Sequence, residues 1–131
     1  MRLAELGVQM THIRSPYRVL AKSAVISLGE ALVVDYAVGT RRLSVLLIRD
    51  DQGLRAFHNL CPHANWPLET FDGRILRTDD GQIICAAHGA SFHSATGTCL
   101  GGPGLGKGLT ALSIVEIDNT IFLDGNLVDA L

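Results

Sequence analysis

Two short stretches carry the side chains best suited to chemistry: Cys61-Pro62-His63 and Cys85-Ala86-Ala87-His88-Gly89. Each offers one thiol and one imidazole, two residues apart in the first and three apart in the second. Twenty-one residues separate His63 from Cys85. If both loops meet, two thiolates and two imidazoles make a complete four-ligand set. One tetrahedral zinc could take all four. Alternatively, two sulfide-bridged irons could share them, two Cys on one iron and two His on the other. Scattered structural Cys and His residues are a third reading. It requires chance to place two such pairs in the same order within one short segment.

These loops need elements to hold them, and the apolar pattern predicts strands. Val19 to Ile26 alternates and runs into a turn at Ser27-Leu28-Gly29-Glu30. Ala31 to Val38 is rich in β-branched residues and stops at Gly39-Thr40. Leu43 to Ile48, a turn at Asp50-Asp51-Gln52-Gly53, and a strand from Leu54 to Phe57 lead into the first loop. Short strands are expected at Arg74–Arg77 and Gln82–Cys85, with turns at Asp72-Gly73 and Asp80-Gly81; short helices remain open at 78–81 and around Trp66–Glu69. After the second loop come a brief strand at Ala90–His93 and a turn at Ala95–Thr98. One alternating strand is then expected from Leu109 to Ile117, with Leu109, Ala111, Ser113, Val115 and Ile117 on one face. Asp118-Asn119 turns it into Thr120–Leu123. Runs of four to eight residues at such spacing predict an antiparallel sandwich or barrel. No internal repeat stands out. Residues 1–18 read as an irregular arm, with His12 solvated, and 19–131 as one domain.

Composition narrows the function. The chain has 131 residues, 47% hydrophobic and 18% charged, which suits one folded domain. Net charge is −2, so a basic nucleic-acid surface is not expected. No apolar run is long enough to span a membrane, and the N-terminus lacks a signal-peptide core, so no membrane role is expected. Three Cys, two of them in the candidate ligand set, leave Cys99 alone and no disulfide framework, as expected of a cytoplasmic protein. Gly101 to Gly108 nearly spells a phosphate-binding loop, but Gly108 stands where Ser or Thr should be, and a strand pattern rather than a helix follows.

Together, Cys61-Pro62-His63, Cys85-Ala86-Ala87-His88-Gly89 and the downstream Gly101-Gly102-Pro103 resemble the Rieske 2Fe–2S domain family. Gly53 to Leu60 resembles the strand leading into that family's first loop, and Phe92 and Thr96-Gly97 match an aromatic position and a Thr-Gly turn. The resemblance runs from about Val19 to Leu123. It implies an all-β fold, an antiparallel β sandwich with a small cluster-binding subdomain at about 58–104. It also implies a Rieske-type 2Fe–2S cluster with Cys61 and Cys85 on the inner iron and His63 and His88 on the outer one. Two departures stand out. The spacer is long, pointing to an enlarged segment around Thr70 to Asp80. Asn65 sits near where glycine is common, which puts the first loop's backbone in question.

The resemblance also bears on potential. High-potential relatives carry an extra Cys in each loop and hydroxyls in a Gly-Ser-x-Tyr run; here the run is Gly89-Ala90-Ser91-Phe92 and the extra Cys are absent. Hydrogen bonds to the cluster sulfurs stabilise the reduced form, so their loss implies the low end of the range, roughly −150 rather than +300 mV. That suits a ferredoxin serving an oxygenase system, an electron-transfer protein rather than a catalyst by itself. A flavin reductase would be its donor and an oxygenase or other oxidoreductase its acceptor. A small Rieske subunit of a larger oxidoreductase, or a zinc-binding structural module, are the alternatives. Cys99 reads as packing near the cluster, and His58 and His93 as surface or hydrogen-bonded residues. Trp66 reads as either a docking aromatic or a lid on Pro67 and Leu68, and Pro103 as a stiffener of the shielding loop.

Overall fold

The structure is a computed structural model that describes residues 17–38, 40–62, 65–102 and 106–125. Residues 1–16 of the expected arm, with His12, lie outside the described residues, as do His63 and Pro103.

Eleven strands are described, in three antiparallel sheets. The first sheet joins β1 (Tyr17–Lys22), β11 (Thr120–Asp124) and β10 (Ile114–Ile117) in that order. The second orders β2 (Ala31–Val38), β3 (Arg41–Asp50), β4 (Gly53–His58) and β9 (Ala111–Leu112). The third is a small meander of β5 (Leu76–Arg77), β6 (Ile83–Ile84), β7 (Ser91–Phe92) and β8 (Cys99–Gly101). The expected all-β antiparallel fold is therefore present, with the small meander beside the two larger sheets. Neither 78–81 nor 66–69 is helical; a single 3₁₀ turn, Ser23–Val25, ends the run expected to be strand up to Ile26.

β3 explains the layering. Side chains alternate across a strand, yet Val45, Leu46, Leu47 and Ile48 are all fully buried. Val45 and Leu47 join Leu20, Leu112, Ile121 and Leu123 in one core. Leu46 and Ile48 join Phe57, Leu68, Ile83 and both loop cysteines in the other. The second sheet is thus the middle layer, which is why its central strand reads as an unbroken apolar run. Each such side chain contributes about 1.5–3 kcal/mol on burial. The loop cysteines pack on the Leu46 and Ile48 face of this layer.

The expected strand from Leu109 to Ile117 is instead two. β9 pairs with β4, β10 pairs with β11, and Ser113 accepts a backbone bond from Asp124 at the crossing. Because the chain changes sheets there, one alternation cannot hold: Ala111 and Ser113 are exposed while Leu112 is buried. Asp118 and Asn119 form the expected two-residue turn, both left-handed, with φ of 52° and 61°, and Ile117 facing Thr120.

Arg49 on β3 clamps the outer layers. Its guanidinium donates to Glu116 on β10 through two nitrogens, at 2.8 and 3.3 Å, and through Nε to the Ile26 carbonyl at 3.1 Å. The Arg49 hydrogen bond holds the Glu116 carboxyl below its ordinary range. A carboxyl so depressed stabilises the fold above its unfolded pKa, and that contribution is lost as pH falls through the folded value. Glu116→Gln should therefore flatten the acid limb of a stability-versus-pH curve by about 0.5–1 kcal/mol between neutral pH and pH 3, the pair being partly exposed. Urea midpoints at each pH measure this.

Candidate metal centre

The two ligand loops are built as the same turn. In the first, the Cys61 amide donates to the Trp66 carbonyl at 2.7 Å and the Cys61 carbonyl accepts from Asn65 at 2.9 Å. In the second, the Cys85 amide donates to the Ala90 carbonyl at 2.8 Å and the Cys85 carbonyl accepts from Gly89 at 2.9 Å. The fifth residue of each turn is left-handed, Asn65 at φ 52° and Gly89 at 78°. Asparagine is among the few side chains that enter this region readily. Asn65 thus supplies the conformation usually left to glycine, and the two hydrogen bonds that close the turn are kept.

A third copy follows. The His93 backbone amide donates to the Thr98 carbonyl at 2.8 Å and its carbonyl accepts from the Gly97 amide at 2.7 Å. The histidine stands where the other two turns have Cys. Its Nδ1 accepts from the Ala95 amide at 3.1 Å, so the imidazole is engaged in its own turn. Left-handed residues recur every eight positions: Asn65, Gly73, Gly81, Gly89 and Gly97. The long spacer between the ligand loops holds two of these units. In each, a threonine hydroxyl accepts an amide from four residues on, Thr70 from Arg74 and Thr78 from Gln82, both at 3.0 Å, and donates to Asp72 or Asp80. Thr70-Phe71-Asp72-Gly73 and Thr78-Asp79-Asp80-Gly81 are their sequence trace. Contrary to the expectation of no internal repeat, a unit recurs; the spacing of the glycines was the available signal.

The turns present their contents unequally. Cys61 and Cys85 are fully buried in one apolar cluster with Leu68, Ala90 and Phe92, while Ala87, His88 and Gly89 are exposed at the tip. None of the three cysteines is in a disulfide. A thiolate in such apolar surroundings needs a cation to stabilise it. Two buried sulfurs below an exposed imidazole therefore suit a metal group set with its sulfur side inward and its nitrogen side at the surface. His63 lies outside the described residues, and among those described no three His, Cys, Asp or Glu side chains form a group for a single ion.

The neighbours behave as follows. Cys99 is buried in the same cluster, its Sγ donating to the Gly101 carbonyl at 3.6 Å. His58 is half-buried, and burial pushes its imidazole pKa down. Trp66 is 52% exposed and Phe71 wholly so. With Leu76 and Ala87 they line an open cleft of about 940 Å³ that reaches His88.

Gly102 presses on the second loop. A Cβ there would lie 2.9 Å from the Ala90 Cα and 3.1 Å from the Gly89 carbonyl, and its φ is +82°. Neither contact can yield without moving backbone. Gly102→Ala should lower stability by about 1–3 kcal/mol, from strain alone, and loosen the Gly89–Ala90 corner. Thermal melting and iron retention on gel filtration check this. Beyond Gly106 and Lys107 the chain enters β9, not a helix, so the phosphate-loop pattern has no helical N-terminus behind it.

The profile of the Rieske [2Fe-2S] domain family matches residues 16–117. No curated protein matches by sequence. Among solved structures, the ferredoxin of carbazole 1,9a-dioxygenase from Nocardioides aromaticivorans IC177 is 22% identical, with a TM-score of 0.65 over 84% of this chain and 98% of that one. A chain of a complex of reduced oxygenase and oxidized ferredoxin in carbazole 1,9a-dioxygenase is 20% identical, TM-score 0.64, over 83% of this chain and 93% of that one. The terminal oxygenase of carbazole 1,9a-dioxygenase from Novosphingobium sp. KA1 is 19% identical, TM-score 0.69, over 90% of this chain but 35% of its own length. These likenesses establish a shared fold.

Proposed function

Because the chain belongs to the Rieske [2Fe-2S] domain family, we propose that it is a one-electron carrier whose cluster is held by Cys61, His63, Cys85 and His88. When bound, the cluster supplies a one-electron couple. The observation that carries this reading is the matched pair of turns, each placing a buried cysteine at its first position, with His88 on the exposed tip of the second. Cys61 and Cys85 would hold the cluster from the buried side, where water is excluded. His63 and His88 would complete the ligand set, and the exposed surface around His88 would be where a partner protein docks.

The carrier serves an oxygenase system, taking an electron from a flavin reductase. The support is its fold, shared over nearly the full length of a dioxygenase ferredoxin, and the missing hydroxyls at Ala90 and Phe92, which favour a low potential. Among the described residues no helix is long and apolar enough to cross a membrane. A cytoplasmic site, which keeps thiols reduced, completes the proposal.

Metal analysis of the purified protein tests the first step. Iron and sulfide in equal amounts, with visible bands that bleach on reduction, are expected; a colourless zinc protein would overturn it. Stopped-flow reduction by a flavin reductase, followed by reoxidation on mixing with a Rieske oxygenase, tests the second. Co-purification with a large subunit through every column would instead make the chain a subunit of a larger oxidoreductase.

A further inference from the structure

Asn59 is the one buried polar residue among those described, 2% exposed. It stands two residues before Cys61, and its carboxamide is fully committed. Nδ2 donates to the Ser44 hydroxyl at 3.0 Å and to Glu69 Oε1 at 2.7 Å, while Oδ1 accepts from the Leu68 amide at 3.1 Å. Its backbone amide donates to the Ser44 carbonyl at 2.9 Å, fixing it to β3. The amide orientation is forced, because a carboxylate only accepts and a backbone N–H only donates.

The connection continues past Leu68. Its side chain is fully buried between the two cysteines' loops, and its carbonyl accepts from the Ala86 amide at 3.0 Å. Ala86 follows Cys85 directly. A line of hydrogen bonds thus runs from β3 through Asn59 and Leu68 to the start of the second turn. It closes the first turn at its base, joining a residue before Cys61 to one after Trp66, and hands that closure to Cys85.

We propose that Asn59 is the positioning residue that locks the two ligand loops together, so that the spacing of Cys61 and Cys85 is set by its carboxamide. This rests on the reading that these cysteines hold the inner iron. Local turn geometry shapes each loop by itself, and the shared apolar cluster holds them together without direction. The hydrogen-bonded path through Leu68 adds a directional link between them; Asn59 fixes its near end, and burial keeps water from substituting there.

The test compares iron-loaded variants. Asn59→Leu keeps the number and branching of side-chain heavy atoms but removes all three hydrogen bonds, leaving the Leu68 amide without its acceptor. It should release iron to a chelator about tenfold faster or more, alter visible circular dichroism, move the midpoint potential, and raise deuterium exchange in 84–90, across the gap from the mutation. Ser44→Ala removes a partner of the same carboxamide without touching Leu68; it should lower the melting temperature while leaving potential and dichroism as in the parent. Asn59→Asp combined with Glu69→Gln exchanges donor and acceptor, keeps an acceptor for Leu68, and should restore the parent's spectrum. The proposal is overturned if Asn59→Leu merely melts earlier with potential, dichroism and exchange at 84–90 unchanged, or if Ser44→Ala moves the potential equally. Should Asn59→Leu not fold, the paired exchange decides through deuterium exchange at 84–90, which a relocated charge does not itself raise: exchange as in the parent supports the lock and raised exchange overturns it. Loss of all iron in the unmutated protein would fault the cluster reading instead, and is seen before any variant is made.

Discussion

A protein carrying Cys85→Ala is expected to purify colourless, with iron at background, while Cys99→Ala keeps its colour. Both cysteines are buried in the same apolar cluster, so packing alone predicts similar penalties for the two changes, about 1 kcal/mol each. Their places differ. Cys85 opens a turn whose tip carries His88; Cys99 lies in β8, its Sγ directed to the Gly101 carbonyl. Only the first is a candidate ligand. Where metal binding is coupled to folding, a structural metal contributes on the order of 10 kcal/mol, far beyond the cost of a lost sulfur contact. Cys85→Ala should therefore also melt much earlier than Cys99→Ala. Iron retained by Cys85→Ala, or lost equally by both, would remove Cys85 from the ligand set. Iron analysis and a thermal scan settle it.

The second large effect is on potential. Ala90→Ser together with Phe92→Tyr should raise the midpoint potential on the order of 100 mV, within a family span of roughly 450 mV. Ala90 and Phe92 are fully buried with Cys61 and Cys85, so the parent presents carbon where a hydroxyl could donate. A donated hydrogen bond stabilises sulfur more when the cluster has gained an electron, which favours reduction. The same burial strengthens the effect, because a low local dielectric leaves the bond unscreened. Protein-film voltammetry measures it, with the single changes separating the two contributions. An unchanged potential in a correctly folded double variant would show that these hydroxyls point elsewhere and that the low-potential argument fails.

Much of the site was legible because its determinants are local. A Cys and a His in one five-residue turn are recognisable by spacing, and the turn itself by a left-handed residue at its fifth position. The glycines at intervals of eight are equally local, each marking a left-handed position of a recurring turn. Asn65 shows the limit of that kind of reading: an apparent departure from pattern turned out to keep the backbone, because asparagine tolerates the conformation the turn needs. The run from Leu109 to Ile117 shows the opposite case. Its alternation is real, but which sheet each half joins depends on β4 and β11, which the segment's own residues do not reveal.

By itself, the sequence determined the candidate ligand types, their order, the strand-rich fold and the chemistry open to two thiols and two imidazoles. Each follows from residue type and short spacing. The tertiary structure alone decided what depends on groups distant in the chain. It buried Cys61 and Cys85 while leaving His88 exposed, sank β3 between two cores, and paired Arg49 with Glu116. It also routed Asn59 through Leu68 to Ala86. Such contacts form only when separate strands converge, and hydrogen bonding there is set by distance and burial, quantities that no local pattern encodes.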